Sequence, residues 1–192
     1  MMKFPREVWS GSQMKNAPPL PRKIVRSKEE YLSYVKAQNN RTNVYTSVYD
    51  FAEFAEKAKI DSSVILDRIF LDFDAHGESI EKAWRDVKVV MTHVIDRNYL
   101  HTLFFSGRGF HLFIFGEIAD TIRNIQVFFR EIKEYLISKV GDNNTLDDRV
   151  GQATRLRRIP NTVNMSSKDE NGNPYFCIPL LRTDLEKEVQ EI

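Results

Sequence analysis

The run Y-L-H-T-L-F-F-S-G-R-G-F-H-L-F-I-F-G, residues 99–116, constrains the fold most. Two apolar, aromatic-rich stretches are broken by Gly107 and Gly109, so the segment reads as strand, tight turn, strand. Helical periodicity flanks it on both sides. Upstream, Ile80, Ala83, Trp84, Val87, Val90, Met91, Val94 and Ile95 recur at spacings of three and four. Downstream, Ile122, Ile125, Phe129, Ile132 and Leu136 repeat the pattern up to Gly141. Residues 42–51 and 64–74 add strand segments, a short helix is expected at 51–59, and residues 173–181 read as a late strand. Ser27 followed by Glu30 suits a capping box opening one more helix. This order predicts an α+β domain, with helices packed against a mixed or antiparallel sheet. Residues 1–26, proline-rich and basic, are expected to form an irregular arm, 27–182 the domain proper, and 183–192 a polar tail.

Composition narrows the class. Among 192 residues, 42% are apolar and 13 are Phe, enough to fill a core. The net charge of +1 gives no global field toward nucleic acid or membrane, so any basic site must be local. Cys177 is the one cysteine, which rules out an internal disulfide and a Cys-rich zinc site. An intracellular, cytoplasmic, soluble chain is expected. No run of about 18 apolar residues is present to span a membrane, and the N-terminus lacks the apolar stretch of a signal peptide.

Three stretches carry chemistry. In R-I-F-L-D-F-D-A-H-G-E-S, residues 68–79, strand alternation puts Ile69, Leu71 and Phe73 on one face and Asp72 with Asp74 on the other. Two like charges roughly 7 Å apart repel, and a divalent cation between them removes the repulsion. Oxygen donors without cysteine favour Mg²⁺ or Mn²⁺ over zinc. Taken alone, the pair also fits a strand running out into a polar turn. In that turn His76 reads as a solvent-facing histidine, and Glu78 with Ser79 as the start of the next helix.

In the second stretch, residues 104–116, Ser106, Arg108 and backbone amides of the glycine turn are suited to phosphate oxygens. His111 follows two residues after the turn, on the face opposite Phe110, Leu112 and Ile114. The third stretch, L-D-D-R-V-G-Q-A-T-R-L-R-R-I-P-N-T-V-N at 146–164, offers Asp147 and Asp148, then Arg149, Arg155, Arg157 and Arg158. Four arginines beside a carboxylate pair suit a polyphosphate or a nucleic-acid backbone, although a solvated basic loop has the same composition.

Together the three stretches resemble the catalytic core of the archaeo-eukaryotic primase superfamily, the primase-polymerases, over residues 42–165. That core carries a D-x-D motif, an S-G-x-G-x-H motif and a hydrophobic-Asp motif, here L-D-F-D at 71–74, S-G-R-G-F-H at 106–111 and L-D at 146–147. The resemblance implies an RRM-like catalytic module flanked by helices. It implies a DNA primase or polymerase that adds nucleotides from NTP or dNTP on a single-stranded DNA template and primer. Asp72, Asp74 and Asp147 would hold two Mg²⁺ or Mn²⁺ ions, with Asp148 the alternative to Asp147. Ser106, Arg108, His111, Arg155 and Arg158 would contact the nucleotide, and Asn164 lies near a further contact. No zinc stem is expected, any unwinding would come from elsewhere, and a helicase or an accessory primase subunit is an expected kind of partner. A repair-type polymerase, a non-catalytic nucleic-acid-binding subunit and an unrelated metal-dependent nuclease are the competing readings.

Overall fold

The structure, a computed structural model, describes residues 3–11, 22–52, 63–75, 77, 79–119, 121–148 and 152–192. The helix expected at 51–59, beyond Ala52, lies outside them, as do His76, Glu78, Arg149 and most of the proline-rich stretch before Arg22. The chain divides into two compact units, one of Met1–Ile65 with Ala153–Ile178, the other of Leu66–Gln152 with Pro179–Ile192.

The first unit opens with β1 (Arg6–Ser10), β2 (Lys23–Val25), α1 (Lys28–Gln38), β3 (Val44–Ser47), β4 (Asp50–Phe51) and β5 (Val64–Ile65). The second supplies β6 (Arg68–Asp74), α2 (Ile80–Asp96), β7 (His101–Phe105), β8 (Gly109–Phe115) and α3 (Ile122–Val140). The chain returns to the first unit for β9 (Leu156–Arg158), β10 (Val163–Lys168) and β11 (Pro174–Phe176), and β12 (Ile178–Leu180) then joins the second sheet.

In the first unit the sheet order is β2-β1-β3-β9, with β1 antiparallel to both neighbours and β3 antiparallel to β9. Val8, Val25, Tyr31, Val44 and Ile159 form its core. The segment expected to be an irregular arm therefore contains two strands. The cause is burial: Val8 and Val25 are core residues, and the buried Arg6 guanidinium is gripped by Asp50, the Ser47 carbonyl and Thr46 Oγ1. Strand β9 escaped the sequence pattern because two of its three residues are arginines. Helix α1 begins as its cap predicts: the Ser27 hydroxyl accepts the Glu30 amide at 3.2 Å. The Glu30 carboxylate reaches one residue further back than a capping box does, to the Arg26 amide at 2.8 Å.

The second unit has the sheet order β12-β7-β8-β6, with β8 antiparallel to both β7 and β6. Strand β8 thus slots between β6 and β7, the two strands that α2 connects, which is the split βαβ arrangement. The fold class read from the sequence, α+β with a mixed or antiparallel sheet and flanking helices, is what forms, and the sheets are of the antiparallel kind. Ile69, Leu71, Phe73, Phe110 and Leu112 are buried on one side of this sheet, and the Trp84 ring of α2 stacks on Phe110 at 4.9 Å. Helix α2 buries Ala83, Trp84, Val87, Val90, Met91 and Val94, the residues its period marked. Each large side chain among them contributes about 1.5–3 kcal/mol. The polar C-terminal segment forms two 3-10 turns, Arg182–Glu186 and Val189–Glu191, and the Lys187 carbonyl between them accepts from Trp84 Nε1 at 3.0 Å. No helix among the described residues is long and apolar enough to cross a membrane.

Candidate active site

The candidate site is assembled by pairing of backbone at one end of the second unit's sheet. Strand register sets Asp72 opposite His111, and His111 opposite Phe104 on the next strand. On the far side of β6, Leu146 bridges Phe73 in antiparallel fashion. The Asp74 amide donates to the Thr145 carbonyl at 3.0 Å, and the Asp147 amide to the Asp72 carbonyl at 2.8 Å. Residues paired directly across strands share a face. Asp147, Asp72, His111 and Phe104 therefore form a row across the sheet, on the face away from Leu71 and Phe73. Three stretches meet in this row, with Asp72 lying 32 positions before Phe104 and Asp147 lying 36 positions after His111.

Side-chain contacts tie the row together. His111 Nε2 lies 3.6 Å from Asp72 Oδ1, and the His111 ring meets the Phe70 ring edge-on at 5.2 Å. Arg108 Nη2 donates to Asp74 Oδ2 at 2.5 Å, an ion pair the sequence did not reveal. Asp147 is buried, whereas Asp148 is exposed and pairs with Lys133 Nζ of α3 at 2.5 Å. The geometry thus separates the two adjacent acids: only Asp147 stands in the row. Among the described residues, no three His, Cys, Asp or Glu side chains are gathered in a ready-made metal cage. The Arg108 guanidinium on Asp74 supplies the counter-charge that a cation would otherwise bring.

The turn between β7 and β8 has a specific construction. Gly107 takes φ +88°, a value that suits the first position of a type II′ two-residue loop. The Ser106 hydroxyl and amide both donate to the Gly109 carbonyl, at 3.1 and 2.8 Å. Gly109 serves strand pairing rather than ligand approach, since a Cβ there would stand 2.1 Å from the Phe73 carbonyl oxygen. Arg108, at the loop tip, is half exposed.

The remaining motif residues belong to the first unit. Arg158 is buried, donates from Nη1 to Asn43 Oδ1 at 2.8 Å and from Nη2 to Tyr45 Oη at 3.1 Å, and lies over the Tyr45 ring. The Arg155 carbonyl accepts the Val48 amide at 2.9 Å. Asn164 is buried, and its Oδ1 accepts the Ser166 amide.

Asp86 and Thr145 were passed over in the sequence. Asp86 is fully buried on α2, and its Oδ2 accepts from both the amide and the hydroxyl of Thr145 at 2.8 and 2.9 Å. The signal was present: position 86 follows Ala83 by three and precedes Val90 by four, so an acid sits on the helix's apolar face.

No protein-family model matches the chain, and no curated protein does. Among solved structures, the chain is similar to the polymerase domain from Mycobacterium tuberculosis Ligase D in complex with DNA, with a TM-score of 0.63 and 12% sequence identity. The match covers 95% of this chain and 65% of that one, so the chain spans about two thirds of that polymerase domain. At this identity the likeness is one of fold.

Proposed function

We propose that this chain is a template-directed nucleotidyltransferase, a DNA primase or primase-polymerase that adds nucleotides from NTP or dNTP to a strand paired with a single-stranded DNA template. One observation carries the reading: Asp147, Asp72 and His111 are aligned abreast on three neighbouring backbone segments, with the Arg108 loop at the same end of the sheet. The likeness in fold to a polymerase domain in complex with DNA supports it independently.

The donor set fits a pair of hard divalent cations. Asp72, Asp74 and Asp147 offer oxygen only, on one face, which suits Mg²⁺ or Mn²⁺ and not zinc. Such ions, when bound, offset charge on the attacking and leaving oxygens of an in-line displacement. The rest of the work is positioning by the chain. His111, held in register beside Asp72, would donate to a phosphate oxygen. Arg108 would transfer its guanidinium from Asp74 to the triphosphate, freeing that carboxylate. Ser106 braces the turn that carries Arg108. Arg155 and Arg158 are assigned to the nucleotide by motif order alone.

The test is a template-extension assay with ribo- and deoxynucleotides, with and without primer, in Mg²⁺ and in Mn²⁺. Metal-dependent incorporation by the parent, lost in Asp72→Ala and Asp74→Ala chains that remain folded, is expected. Incorporation at the parent rate in either variant would refute the assignment. Extension only from a primer would favour a repair-type polymerase.

A further inference from the structure

Residues 145–147 hold the third acid, yet they form no strand of their own beyond the single bridge between Leu146 and Phe73. Two backbone hydrogen bonds tie them to β6 on one side: Asp74 amide to Thr145 carbonyl, and Asp147 amide to Asp72 carbonyl. On the other side stands Asp86. Its carboxylate is fully buried within the apolar face of α2 and takes both the amide and the hydroxyl of Thr145 on Oδ2. Arg85 Nη2 lies 3.5 Å from Oδ1 on a largely exposed side chain. A buried carboxylate is costly unless its oxygens are satisfied, so its retention inside a helix–sheet interface calls for a purpose.

We propose that Asp86 is a positioning residue for the active site. It clamps Thr145 from the helix side while β6 clamps it from the sheet side, and this two-sided grip fixes where Asp147 stands relative to Asp72. Asp86 acts through Thr145 and touches neither metal nor nucleotide. The proposal rests on the metal-binding reading above, and groups that orient ligands in this way change metal affinity by about 10–100-fold when removed.

The experiment is Mn²⁺ titration of the full chain without nucleotide, followed by water-proton relaxation, alongside amide hydrogen exchange at Asp147 and far-UV circular dichroism. Asp86→Ala is expected to weaken Mn²⁺ binding about ten-fold or more and to speed Asp147 amide exchange. Thr145→Val, which keeps the amide bond and loses only the hydroxyl, is the milder probe should Asp86→Ala fail to fold, and weakened Mn²⁺ binding is expected there too. Thr145→Ser retains both bonds and is expected to restore binding. In an Asp147→Ala background, Asp86→Ala should cost no further Mn²⁺ affinity, an outcome that a general loss of packing would not give. A folded Asp86→Ala chain with parental Mn²⁺ affinity and parental Asp147 exchange overturns the proposal. A parent chain that binds no Mn²⁺ overturns the metal reading instead, and the exchange of the Asp147 amide still decides whether Asp86 positions this segment.

Discussion

Replacing Gly109 with alanine tests the strand pairing that builds the site. The added Cβ would stand 2.1 Å from the Phe73 carbonyl oxygen, 3.1 Å from the Phe73 carbonyl carbon and 3.2 Å from Asp74 Cα. All three are backbone atoms, so no side chain can rotate away. Ordinary contact needs roughly 3.5 Å, and β8 must therefore retreat from β6 by more than about 1 Å. Overpacking of this kind costs about 1–3 kcal/mol, and each ladder hydrogen bond lost adds about 1 kcal/mol. A destabilisation of about 2–4 kcal/mol follows, concentrated where Asp74 pairs with Gly109, two residues from the Asp72–His111 pair. Equilibrium urea unfolding measures it, and nucleotide affinity should fall with it. Gly116→Ala is the control: a Cβ there meets nothing within 4 Å, and its cost should stay within about 0.5 kcal/mol. A Gly109→Ala midpoint equal to that of the control would show the reasoning to be wrong.

Other consequences can be checked in the same preparations. Arg108→Ala removes a half-exposed ion pair, so stability should change by under about 1 kcal/mol while nucleotide affinity falls about ten-fold, or 1.4 kcal/mol; unchanged affinity in a fluorescence titration would remove Arg108 from the site. Asp50→Ala strands the buried Arg6 guanidinium and should cost about 3–5 kcal/mol, lowering the melting temperature by about 6–20 °C; a calorimetric shift under about 3 °C would contradict this. Burial pushes the Cys177 thiol from 9.0 up to about 11, so the folded state holds this proton more tightly than the unfolded chain. Its contribution is fully present below pH 9 and is lost as pH rises through 11. Urea midpoints of the parent should therefore decline more steeply over that range than those of Cys177→Ala, and parallel slopes would refute the assignment.

Much of the second unit was legible because its elements have clean periods. The apolar recurrence along α2 and α3 and the glycine turn between β7 and β8 each lie where the pattern puts them. The row of Asp147, Asp72 and His111 was foreshadowed by motif order, since two-residue alternation fixes which face each side chain takes. Strands β1 and β2 were hidden by their charged residues: Arg6 and Glu7 are buried through partners distant in sequence, Asp50 and Arg22, which no local pattern discloses. The late apolar run read as one strand divides at Cys177, because the residues on either side pair with different partners, β10 before it and β7 after it. The contact between Arg108 and Asp74 joins residues 34 positions apart, and only the register of β6 against β8 brings them together.

Neither compact unit is a continuous length of chain. β9 closes the first sheet beside β3, and β12 completes the second beside β7. On a ribosome, both bodies must wait for residues 156–180 to emerge before their sheets are whole. Such late closure across long sequence separations slows folding. Until then the nascent polypeptide presents the bare flank of β3, joined by that of β7 once residues 101–105 have emerged, and unpaired flanks recruit foreign strands. Aggregation during translation is the hazard this topology brings, and prompt emergence of β9 and β12 is what shortens it.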